Sequence, residues 1–155
     1  RSMYRLLQKH PFTALNVSMI CREAGITRST YYQYYLDKND WLDRVVGRYL
    51  LVAERQSTDD VTNLSAMVAA LRPDAAKVTT LLSIQDAAGD LAAQLRGLFS
   101  QRFGQLVTGS DRDYLAGLYA DAALRTLAWQ LEHQEAEPAA LSAIVKTLLE
   151  QDKTR

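Results

Sequence analysis

Apolar residues recur along this chain at helical spacing, and polar breaks divide them into segments. Val17, Ile20, Cys21 and Ala24 fall at i, i+3, i+4 and i+7, one face of a helix. Asn16 before them is a good N-cap, and Gly25 after them tolerates the positive φ of a helix stop. Ile26 plugs the turn, and Thr27 caps a second short helix from Arg28 to Tyr35. Asp37 then caps a long helix, Lys38 to Gln56, with the stripe Trp41, Leu42, Val45, Val46, Tyr49, Leu50 and Ala53. Ahead of these, Tyr4 and Leu7 predict a first helix ending at Lys9, His10 and Pro11, since proline disfavours helix at the residue before it. Two turns are short for a core helix, so the natural chain is expected to begin before Arg1.

A polar break at Ser57 to Asp60 marks the expected boundary of a second module. Beyond it the pattern predicts helices over Val61 to Leu71, stopped by Arg72 and Pro73, and over Ala75 to Leu82, capped by Asp74. A long helix from Asp86 to Val107, another from Asp113 to His133, and a last one opened by Glu135 to Pro138 and ending near Gln151 complete the chain. The expected class is all-α: a helix-turn-helix head of three helices, residues 1–50, on a helical body, residues 51–155.

Composition narrows the function. With 48% apolar residues in 155, the chain can bury a core, and disorder is excluded. No stretch is apolar for long enough to span a membrane. The single cysteine, Cys21, rules out an internal disulfide and a Cys-based zinc site; it sits on a buried stripe and suits a reducing cytoplasm. His10 and His133 are isolated, with no carboxylates at ligand spacing, so no metal or cofactor is expected. No nucleophile is paired with a base and no Gly-rich phosphate loop occurs, so the chain does not read as an enzyme.

The net charge of zero hides an asymmetry. Residues 1–50 carry eight Lys and Arg against four acids, and the remainder carries the opposite excess. A basic head on an acidic body points to a polyanion as the partner of the head. The outward face of the second short helix, Arg28, Ser29, Tyr32 and Gln33 with Thr30 and Tyr34, is rich in hydroxyls and lacks carboxylates. Such groups bond phosphates and base edges, and a helix fits the major groove of duplex DNA. The inward positions are expected to be Val17, Ile20, Ala24, Ile26, Tyr31 and Tyr35, with Ala24 small where the second helix crosses it.

The 22 residues from Val17 to Lys38 resemble the signature of TetR-type transcriptional regulators, with every spacing kept. Asn16 stands where the family has Thr, Tyr31 and Tyr35 where it has Phe, Tyr34 where it has His, and Trp41 where it has Leu. Tyr114, Leu115, Trp129, Glu132 and His133, with the acidic stretch through Pro138, further resemble regulators of the dihydroxyacetone-kinase type. The resemblance implies a homodimeric repressor that binds an operator in double-stranded DNA and answers to a small-molecule or protein effector on its body. It implies Thr27, Arg28, Ser29 and Tyr32 facing DNA, and Thr30, Tyr34 and Lys38 holding phosphates. The rival readings are a co-activator or co-repressor governed by a protein partner, and a helical interaction module without DNA binding.

Two further expectations concern the body. The helix from Asp113 carries two apolar stripes, more than a surface helix needs. With the last helix it would form a four-helix interface between two subunits, as TetR-type proteins do, through Leu118, Ala122, Trp129, Leu141, Ile144 and Leu148. Burial within one subunit is the competing reading. An effector pocket would be walled by Leu82, Leu95, Leu98, Phe99, Phe103 and Tyr119, unless these fill an ordinary core.

Overall fold

A computed structural model of the chain describes residues 1–85, 89–134 and 139–153. Among these residues there are nine α-helices, two short 3-10 turns and no strand. The helices are α1 (Ser2–Leu7), α2 (Val17–Ala24), α3 (Arg28–Tyr34), α4 (Lys38–Gln56), α5 (Ser65–Leu71), α6 (Ala75–Leu82), α7 (Leu91–Gly104), α8 (Arg112–Glu132) and α9 (Ala140–Lys153).

Local chemistry sets most of these ends. Asn16 accepts the Met19 N–H at 2.9 Å, and Gly25 ends α2 at φ +66°. There the N–H groups of Ile26 and Gly25 bond back to Cys21 and Arg22, satisfying carbonyls that the helix end would orphan. Asp90 caps α7 by accepting the Ala93 N–H at 2.8 Å, with Gly89 at φ +73° leading into it.

α4 is the spine. Its 19 residues span roughly 28 Å at 1.5 Å per residue. Its buried stripe, Trp41 to Ala53, packs on α5 and α7, and Tyr4 of α1 meets the Trp41 ring edge-on at 5.6 Å. α4 runs unbroken from Lys38 to Gln56, as expected, and one apolar cluster runs from Met3 to Leu148. α7 and α8 run antiparallel: Arg96 pairs with Asp121 at 2.9 Å, and Phe103 stacks on Tyr119 further down the pair. α9 packs along α8, and its Asp152 accepts the Gly109 N–H at 3.0 Å in the turn that joins α7 to α8. No helix among the described residues is long and apolar enough to cross a membrane.

Several expected boundaries move. α5 begins at Ser65, because Asp60 takes the N–H and hydroxyl of Thr62 (3.0 and 2.6 Å) and Asn63 takes the Ser65 N–H. Those side-chain bonds offer the backbone an alternative to helix. α5 ends at Leu71 as expected, and Arg72 and Pro73 open a 3-10 turn that leads directly into α6, where proline at the start costs no hydrogen bond. Asp74 makes no side-chain cap, and its carboxylate instead accepts the Tyr49 hydroxyl at 2.9 Å. α7 is shorter than expected at both ends; its expected start at Asp86 and the opening of the last helix at 135–138 lie outside the described residues.

Candidate nucleic-acid interface

The head presents a helix, a tight turn and a second helix. Thr27 caps α3 by accepting the Thr30 N–H at 3.1 Å, and the two hydroxyls also meet at 3.0 Å. Tyr31 fixes the orientation of α3. Its ring is 3% exposed, tilted against Tyr35 and edge-on to Tyr32, and its hydroxyl donates to the Asp37 carbonyl at 2.8 Å. One side chain thus ties α3 to the start of α4. With Tyr31 inward, Arg28, Ser29, Tyr32, Gln33 and Tyr34 are all exposed, and Thr30 is half-buried. No carboxylate occurs in α3.

Two expected inward residues are not inward. Ala24 and Ile26 are exposed, while Val17 and Tyr35 are half-buried and Ile20 is buried. Gly25 turns the chain sharply just after Ala24, and α3 packs back on α2 with Ile20, Cys21 and Tyr31 in one buried cluster.

The start of α4 also departs from expectation. The Lys38 ammonium donates to the carbonyls of Phe12 (2.8 Å) and Thr13 (3.2 Å) and lies 4.8 Å over the Phe12 ring. It is a strut between α4 and the 3-10 turn at Phe12–Ala14, with at most one of its three N–H donors left for a phosphate. Beside it, Asp37 accepts the Asp40 N–H at 2.8 Å and Asp40 accepts the Leu36 N–H at 2.9 Å. The Leu36 amide first, and the Arg44 guanidinium second, hold the Asp40 carboxyl below the usual carboxylate range. Two carboxylates thus take amides of this helix start, with the Arg44 cation paired to one of them. The aspartates three residues apart ahead of an apolar run were the readable signal for this closure. Lys38→Ala is therefore expected to cost about 1–3 kcal/mol of stability in denaturant titration, by orphaning two carbonyls. Should the chain bind DNA, a phosphate held by the third Lys38 donor would show as a salt slope lowered by about one ion in the variant, and an unchanged slope would mark Lys38 as a strut alone.

Other head cations are also engaged. Arg5 pairs with Glu23 at 3.2 Å, and Arg44 pairs with Asp40 at 3.1 Å. Each pair matches a cation with an acid already counted in the head's excess, so the net charge of the head is unchanged.

In the body, the expected pocket wall fills space. Leu95, Phe99, Phe103 and Tyr119 are each 2% exposed or less. Tyr119 stacks on Phe103 at 4.8 Å, meets Phe99 edge-on at 6.3 Å, and donates its hydroxyl to the Val61 carbonyl at 2.8 Å. Leu98 is half-buried against the same cluster. Of the six, only Leu82 borders a space of ligand size, a solvent-open groove of about 490 Å³ between α6, α7 and α8 that also meets Ala92, Arg125 and Trp129. The expected interface residues also divide. Leu141 and Leu148 are buried inside the subunit, Leu148 at the edge of a small cleft it shares with Leu118, whereas Leu118 and Ile144 are each 39% exposed and Ala122 and Trp129 are half-buried.

Four phenols, Tyr4, Tyr31, Tyr49 and Tyr119, are raised above the ordinary value by burial, so stability falls in alkali; Tyr31 and Tyr119 illustrate it. Burial, with the Asp37 charge adding, pushes Tyr31 up to about 12, and burial, with Asp60 adding, pushes Tyr119 up to about 12. Each is raised above its unfolded value of about 10. The stabilisation is therefore complete below pH 10 and is lost as pH rises from about 10 through 12. Thermal melts across that interval should show a falling midpoint that Tyr31→Phe and Tyr119→Phe each flatten.

The arrangement defines a class: an all-helical protein with a helix-turn-helix whose second helix is rigidly presented and free of acidic groups. No protein-family model and no curated protein matches the chain. Among solved structures, the chain is similar to the dihydroxyacetone kinase operon activator DhaS, at 17% identity over 99% of this chain and 93% of that one, with a TM-score of 0.47.

Proposed function

We propose that the chain is a transcription regulator that binds duplex DNA through α3 and works as a homodimer. The observation that carries this reading is the outward face of α3, exposed, hydroxyl-rich and without a carboxylate, held at a fixed angle by the buried Tyr31. Ser29, Tyr32 and Gln33 would meet base edges, and Thr27, Arg28, Thr30 and Tyr34 the backbone. The dimer would use the exposed strip of α8 and α9, Leu118, Ala122, Trp129 and Ile144, which sets two heads against two half-sites about one helical turn of DNA apart or a multiple of it. Occupancy of a promoter by such a dimer excludes other proteins, which is the repressor reading.

Control would act through the body. The packing of Leu95, Phe99, Phe103 and Tyr119 favours a protein partner over a small molecule held among them. The test is selection of duplexes from a random pool by the full-length chain, followed by titration at several salt concentrations. Enrichment of a two-fold symmetric site with salt-dependent affinity supports the reading. Failure to enrich any duplex at low salt overturns it.

A further inference from the structure

We infer that Gln33 reads an A·T base pair, and that this uncharged contact sets the sequence preference at the centre of each half-site. The inference rests on the reading of the chain as a duplex-DNA regulator and adds which base the centre of α3 selects. At about 100° per residue, Ser29 and Gln33 lie within roughly 20° of the direction opposite the buried Tyr31. They are one turn apart and both exposed, so together they form the ridge of α3 that enters a groove first. Ser29 is short, which brings the helix axis close to the bases and leaves the longer Gln33 to reach them.

The cation of this helix is placed elsewhere. Arg28 is the only charged residue in α3 and lies about 120° from that ridge, on a flank facing a groove wall. Tyr32 and Thr30 take the shoulders and Tyr34 the other flank, with the two phenols 51% and 64% exposed. No side-chain hydrogen bond holds the Gln33 amide among the described residues, so both its N–H₂ and its carbonyl are available to a ligand. The pair matches adenine, which offers an acceptor at N7 and a donor at N6 in one plane. Guanine offers two acceptors there, and the Gln33 carbonyl would face one of them with no proton between.

The experiment uses the full-length chain and single base-pair variants of the duplex enriched by the wild type. Gln33→Ala should flatten preference at one position per half-site, weakening binding to the preferred duplex by about 5- to 150-fold and leaving the other positions as they were. Gln33→Arg should move the preference at that position from A·T to G·C, an altered specificity that a misfolded variant cannot produce. If both variants keep the wild-type preference at every position, the assignment to Gln33 is overturned while DNA binding stands. If the wild type enriches no duplex, the regulator reading fails and this inference falls with it.

Discussion

Phe103→Ala should lower the stability of the folded chain by roughly 3–5 kcal/mol, the largest loss expected from any single truncation described here. Phe103 is fully buried and lies face to face with Tyr119 at 4.8 Å, where α7 and α8 are pressed together. Truncation removes the transfer energy of the ring and leaves a void. The neighbours cannot close it, because Tyr119 is held from its other end by the bond to Val61. For a chain of this size the melting temperature should fall by about 6–20 °C. A loss under about 1 kcal/mol would show that the site is not close-packed, and would restore the case for a ligand space between these helices.

Leu118→Glu should turn a dimer into a monomer. Leu118 is 39% exposed in the subunit, so a glutamate there stays hydrated and the subunit folds. In a dimer the same carboxylate would be pressed against an apolar strip without a counter-charge, a cost of several kcal/mol. Sedimentation at micromolar concentration should show the change. Operator affinity should drop by about 10²- to 10⁴-fold, because two half-sites are no longer held by one tethered particle. Leu106→Glu provides the control, since Leu106 is similarly exposed but lies beyond the end of α7. A wild type that sediments as a monomer, or a Leu118→Glu variant that remains dimeric with full affinity, would sink the proposed assembly.

The head was legible because its signals are local. Asn16, Gly25, Thr27 and Asp37 act on backbone groups within a few residues of themselves, so the ends of α2, α3 and the start of α4 could be placed from sequence. The same holds for Tyr31, whose position on the helical wheel fixed it as inward while Ser29 and Gln33 faced out. Where the local reading failed, a competing side-chain bond was responsible. Asp60 and Asn63 drew the backbone out of helix before Ser65, and Asp74 was taken by a distant phenol instead of capping α6.

The sequence by itself determined the helical class, the turn between α2 and α3, and the chemistry of the outward face of α3, because periodicity and capping act over one or two turns. Only the tertiary structure decided which long-range partner each side chain meets. Lys38 found two carbonyls 25 and 26 residues away, ahead of α2, and became a strut. Leu141 and Leu148 were buried inside the subunit, while Leu118 and Ile144, equally apolar in sequence, were left at the surface. The wall drawn for a ligand closed on itself when Phe103 met Tyr119. A stripe of apolar residues records that burial will occur; what does the burying depends on how the helices cross, and that is set by packing among all of them at once.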